Sequence, residues 1–151
     1  AVTTLFEALE QWDEVLGERR FLVGDSLTLA DVFFFPTLYR FDAVYHTHFK
    51  CNIRRLVEFE HLWDYARDIY QHSGVAETCN MGHIKAHYYR SHEDLNPTGF
   101  VRVGSESEWS DSHIGTRSLT QKSHGCRTNP LWLAQYTGAL FITRRIILFC
   151  C

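Results

Sequence analysis

Ser26-Leu27-Thr28-Leu29-Ala30-Asp31-Val32 marks the start of the helix around which the rest of the chain is arranged. Thr28 suits the N-cap position, and Asp31, three residues on, can take a hydrogen bond from the Thr28 backbone N–H. The pair is a capping box with Asp in place of the usual Glu, and Leu27 and Val32 fall at the N′ and N4 positions of a hydrophobic staple. Loss of the Thr28 oxygen is predicted to cost about 1 kcal/mol or more. This capping role accounts for Asp31, and no catalytic acid is needed to explain it. The helix that follows, 29–45, is apolar nearly all round (Phe33, Phe34, Phe35, Leu38, Phe41, Val44). That pattern predicts a central, buried element. Pro36 removes one backbone donor within it and predicts a kink.

Upstream, Leu5, Leu9, Trp12 and Leu16 recur at i, i+4, i+7 and i+11, the apolar stripe of a helix over 3–16. Gly17 is read as the C′ residue that stops it. Residues 18–27 connect, with Phe21, Leu22 and Val23 tucked inward and Gly24-Asp25 as a turn. Downstream, after a connection at 46–57, Leu62, Tyr65, Ala66, Ile69 and Tyr70 define a helix over 58–72 that Gly74 ends. Residues 75–79 suit a short helical turn, and Asn80 caps a last helix to Arg90 in which Ile84 and Tyr88 lie one turn apart. Asn96-Pro97-Thr98-Gly99 is a turn, and 100–103 an extended exit. No strand-forming alternation of useful length precedes that exit. The reading is all-α, a helical bundle.

The 151 residues carry 15 Lys+Arg against 18 Asp+Glu, a net charge of −3, with 45% hydrophobic and 22% charged residues. This is a globular composition, and its slight acidity excludes a general nucleic-acid coat. The chain changes character near Gly104. Residues 1–104 hold 17 of the 22 aromatics and net 10 − 15 = −5, whereas 105–151 hold five and net 5 − 3 = +2. Residues 105–128 read as a Ser/Thr/Gly-rich linker. Residues 131–149 are apolar again, but Gln135, Arg144 and Arg145 interrupt them, which favours a packed or aggregating tail over a membrane span. Five cysteines at irregular spacing (51, 79, 126, 150, 151) point to a reducing, cytoplasmic setting, and Cys150-Cys151 is read as an exposed pair without a lipid. The acidic, amphipathic opening is not read as a signal peptide. Seven of the nine histidines lie between 46 and 92, with His83 and His87 at i, i+4 and His46-x-His48-x-x-Cys51 at ligand-like spacing. Without HExxH or paired CxxC, no metal site is assigned.

With these residues in view, the chain resembles the C-terminal helical domain of glutathione transferases. More narrowly, it resembles the omega-like, xi-class branch of glutathionyl-hydroquinone reductases. The resemblance rests on FLVGDSLTLADVFFFPTLYRFDAVYHTHFKCNIRRL at 21–56, on Leu62-Trp63, on Ile84-Lys85-Ala86-His87-Tyr88-Tyr89 with Ser91-His92, and on Asn96-Pro97-Thr98-Gly99. The capping box alone would indicate only a transferase-like helical domain. Arg40-Phe41-Asp42-Ala43-Val44-Tyr45, His48-Phe49-Lys50-Cys51-Asn52 and the His87–His92 string, in that order, are more specific. The likeness covers residues 2–104, with 105–151 unmatched. The family's thioredoxin-like domain, which binds glutathione and supplies the catalytic cysteine, is not recognised in these residues. The chain is therefore expected to be inactive alone.

The resemblance implies removal of glutathione, the co-substrate, from a glutathionyl-hydroquinone. A thiolate attacks the thioether sulfur, and a second glutathione resolves the mixed disulfide. The nucleophile must be a low-pKa cysteine. Cys51, beside Lys50, and Cys79 are read as structural thiols, so no catalytic residue is assigned. Tyr45, Tyr88 and Tyr89 are the candidates for an aromatic pocket, with a face for the quinol ring and a hydroxyl for its oxygen. Tyr88 suits core and pocket equally, and Tyr89 points about 100° away from it. Arg40 and His48 are the secondary polar anchors. The implied partners are an aromatic quinol-type small molecule, a thioredoxin-like domain and a second copy in a homodimer; nucleic acid and membrane are not among them. The other reading is a non-catalytic glutathione-transferase-like protein-interaction module.

Overall fold

The computed structural model describes residues 1–103 and 109–111, all within one compact unit, Ala1–Gly115. The apolar stretch 131–149 and Cys126, Cys150 and Cys151 lie outside the described residues. Four α-helices follow one another: α1 Val2–Glu18, α2 Leu29–Arg40, α3 Glu60–Tyr70 and α4 Met81–Ser91. Among the described residues there is no strand, and no helix is long and apolar enough to cross a membrane.

The core forms where α1 and α2 meet α3. α1 contributes Phe6, Leu9 and Leu16, and α3 contributes Leu62, Tyr65, Ala66 and Ile69, all buried. The stripe is thus shifted from the sequence expectation. Phe6 stacks on Phe59 and meets Phe41 edge-on, while Leu5 and Trp12 remain half-buried. Gly17 does not stop α1, which runs through it to Glu18. A Cβ there would stand 2.9 Å from the His61 ring, so the glycine serves close approach of α1 to α3.

The capping box at α2 forms as the spacing predicts. Asp31 is fully buried, and its oxygens also accept bonds from outside the box. Oδ1 takes Leu22 N–H and the Tyr65 hydroxyl, each at 2.9 Å; Oδ2 takes the Thr28 N–H and hydroxyl, each at 2.8 Å. One carboxylate therefore ties the α1–α2 connection, the start of α2 and the middle of α3 together.

Two expectations for 29–45 are corrected. The α-helix ends at Arg40, and Phe41–Tyr45 winds as a π-helix, closed by His46 N–H to Phe41 O at 2.8 Å. The helix is also not buried all round, since Leu29 and Phe33 are 72% and 64% exposed. The π turn is wholly buried, and it holds Asp42, which accepts Leu56 N–H at 2.6 Å and pairs with Arg55 at 3.6 Å. Asp42 so anchors the 3-10 turn Leu56–Glu58 that leads into α3.

Phe59 has no side chain able to cap α3, and Asp13 of α1 does it instead. Its Oδ1 accepts His61 N–H at 3.0 Å and Leu62 N–H at 2.7 Å. Asn80 caps α4 locally through His83 N–H at 2.9 Å. Past α4, the linker reading does not hold for Trp109. That residue is half-buried against Phe35, Tyr39, Trp63 and Tyr70.

Candidate functional site

Three motif segments meet where α4 crosses the π turn and the loop after it. Tyr45, at the end of the π turn, is buried and stacks on Phe41 with ring centres 6.0 Å apart. His48 is buried as well, its ring 4.7 Å from Tyr89 and 5.0 Å from Phe49. Phe49 lies between Tyr45 (5.8 Å) and Tyr88, whose ring it meets at 90° and 5.8 Å. Phe49 fills the space between those tyrosines, so the cluster is packed and not hollow.

Tyr88 and Tyr89 part company, as one helical step requires. Tyr89 is buried, and its hydroxyl donates to Ala43 O at 2.9 Å, a bond that fixes α4 to the π turn. Tyr88 is half-buried at the rim, 5.7 Å from His92 and 5.1 Å from His87. His92 faces His48 with Nδ1 3.2 Å from Nε2. The turn after α4 is fastened by Asn96, whose amide donates to Tyr89 O at 2.8 Å and Phe100 O at 3.0 Å. Arg102 then reaches the Thr47 hydroxyl.

Arg40 does not join this group. Its Nη1 bonds Pro36 O at 3.4 Å on its own helix, and its charge acts on Cys79. Phe49 and His92 are central to the cluster, yet sequence reasoning gives them no role. Their membership in the two motif strings is the only signal they carry.

Burial, and then the neighbouring His92, hold the His48 pKa below the ordinary histidine value. Burial pushes the Tyr89 phenol up, against opposing effects of Arg102 and Thr47. Tyr39, remote from the cluster, is pushed up to about 12 by burial, with Cys79 and Tyr70 adding to it. Both described thiols are also pushed up. For Cys51 the cause is burial; for Cys79 burial outweighs Thr78 and Arg40. Neither has the lowered pKa of a nucleophilic thiolate. Among the described residues, no three His, Cys, Asp or Glu side chains are placed to share a metal ion. An open cleft of about 340 Å³ at the end of α4 is lined by Arg90, Glu93 and the Asn96–Gly99 turn, and includes none of the tyrosines.

This all-helical fold, with its buried capping box and motif-built aromatic cluster, is that of a glutathione transferase C-terminal domain. Residues 1–68 match the family "Glutathione S-transferase, C-terminal domain". The glutathionyl-hydroquinone reductase YqjG of Escherichia coli is 45% identical over 113 residues, covering 75% of this chain and 34% of the relative. The glutathionyl-hydroquinone reductase PcpF of Sphingobium chlorophenolicum is 52% identical over 100 residues, 66% of this chain and 32% of the relative. Among solved structures, a Xi class transferase from Natrialba magadii superposes with a TM-score of 0.74 at 50% identity, covering 76% of this chain and 35% of that one. A glutathione-bound structure of YqjG itself gives 0.73 at 44% identity, with 76% and 37% coverage. The chain thus spans about a third of the length of the curated relatives it matches. A match of 113 residues ends no earlier than position 113, so the likeness continues past Gly104.

Proposed function

We propose that this domain supplies the acceptor-side wall of a glutathionyl-hydroquinone reductase site. The observation that carries the reading is the convergence of the 40–45, 48–52 and 87–92 strings on one aromatic–imidazole cluster. Within it, Tyr45, His48 and Tyr89 are buried and hold the π turn to α4. Tyr88, at the rim, presents a ring face and a hydroxyl to a quinol-type ring. Glutathione is bound by a thioredoxin-like domain outside the described residues, which also supplies the nucleophile. That thiolate forms an S–S bond to the glutathione sulfur while the carbon–sulfur bond breaks and the ring carbon takes a proton. A second glutathione then releases oxidised glutathione. Arg40 faces elsewhere and has no part in this reading. A cytoplasmic location and a homodimer of the complete enzyme accompany it.

Titration of the 151-residue chain with hydroquinone, followed by NMR, tests the proposal. Saturable binding is expected, weakened about tenfold in Tyr88→Ala, the loss typical of one ring contact and one hydrogen bond. Unchanged affinity in the variant would overturn the role of Tyr88. The chain alone is expected to release no glutathione from a glutathionyl-hydroquinone. Release abolished by Cys51→Ser would contradict the assignment of the nucleophile to another domain.

The second reading, a non-catalytic interaction module, draws on Leu29, Val32 and Phe33, which share one exposed side of α2. Capture of an unrelated protein through this side, together with no hydroquinone affinity, would favour it.

A further inference from the structure

The rings around Trp109 form a second aromatic site, apart from the cluster at Tyr88. Phe35 and Tyr39 lie one turn apart on α2, and Trp63 and Tyr70 two turns apart on α3. Tyr39 and Tyr70 stack across the groove, 5.8 Å apart and 13° from parallel. Trp109 sits among all four, 4.7 Å from Trp63 (edge-on), 5.0 Å from Tyr39, 5.6 Å from Tyr70 and 6.4 Å from Phe35. Beside the ring, the Gln71 amide nitrogen donates to Trp109 O at 2.9 Å and Asp111 O at 2.8 Å. The walls therefore belong to two helices that are packed on each other. The occupant belongs to a turn whose other members, Ser110 and Asp111, are exposed. A ring held in this way is recognised by edge-on and tilted ring contacts and by two carbonyls, its own and that of the residue two positions on, which a tryptophan in a like turn presents.

We propose that the α2–α3 groove is a binding site for a tryptophan-bearing peptide segment, and that Trp109 is its built-in, displaceable occupant. Aromatic walls select the indole, and Gln71 reads the carbonyls beside it. A ligand must compete with Trp109, so its apparent affinity in the intact chain is lowered by the fraction of time the groove is filled.

The probe is the peptide N-acetyl-Trp-Ser-Asp-amide, which carries the indole and both carbonyls that Gln71 meets, titrated calorimetrically into the full chain. Trp109→Ala is expected to bind it about tenfold more tightly than the intact chain does, the gain for a groove about nine-tenths occupied by its own ring. Adding Tyr70→Ala to that variant should abolish the gain. Trp109→Phe, which keeps a ring and the fold, should fall between the two and serves if Trp109→Ala does not fold. Equal affinity in the intact chain and Trp109→Phe would overturn the proposal, as would binding to Trp109→Ala that Tyr70→Ala leaves unchanged. Either result would make Trp109 a fixed core residue.

Discussion

At Asp31, a single carboxylate shows how a local motif becomes a tertiary one. Its bonds to Thr28 belong to the capping box and follow from spacing alone. Its bonds to Leu22 N–H and the Tyr65 hydroxyl come from segments on either side, and no sequence pattern announces them. Because the carboxylate is fully buried, every donor it loses leaves charge without compensation. Tyr65→Phe removes one such donor without changing the ring's packing. The expected cost is about 1.5–3 kcal/mol, the range for a hydrogen bond to a charged group, read from the shift in a urea-unfolding curve at unchanged slope. A loss below about 0.5 kcal/mol would show that the hydroxyl contributes nothing net.

At the scale of elements, what could be read from the sequence depended on how far each helix end lies from its cap. Thr28 and Asn80 cap the helices they precede, so spacing alone locates the starts of α2 and α4. α3 begins after Phe59, which has no capping atom, and its cap comes from Asp13 on the other side of the core. Asp13→Ala is expected to destabilise the chain by about 1 kcal/mol, whereas Glu14→Ala, next to it but exposed, should leave stability within about 0.5 kcal/mol. Equal effects in paired urea melts would remove Asp13 from the capping role. The π turn at 41–45 was equally hidden, because an i→i+5 bond leaves the apolar pattern of an α-helix intact over so few residues. Gly17 misled for a related reason: its value lies in the His61 ring beside it, a partner distant in sequence. Tyr45, His48, Tyr88 and Tyr89, which stand on separate motif strings, lie in one region of the structure. Arg40 lies next to that region in sequence and turns away in space, because it stands on the last turn of α2 before the winding changes.

Over the whole molecule, the contact between His48 and His92 joins the loop after the π turn to the end of α4, and it makes stability depend on pH. At neutrality one imidazole donates to the other across 3.2 Å. Protonating His48 places a positive charge in a buried site beside His92. The groups packed around His48 are Phe49 from its own loop, Tyr89 from α4 and His92 just past its end, and none of them supplies a negative charge to offset its protonation. The His48 pKa is lowered in the folded chain, chiefly by burial and then by His92. The unfolded chain therefore binds more protons just below the ordinary histidine pKa of about 6.5, and stability rises with pH through that window. The contribution is complete above about 6.5 and is lost as pH falls toward the lower folded value. Urea midpoints measured between about pH 7.5 and 5.5, above the range in which most carboxylates titrate, should decline on acidification, and His48→Gln should flatten that decline. The same decline in both proteins would mean that acid acts elsewhere and that the histidine contact does not couple α4 to the π turn.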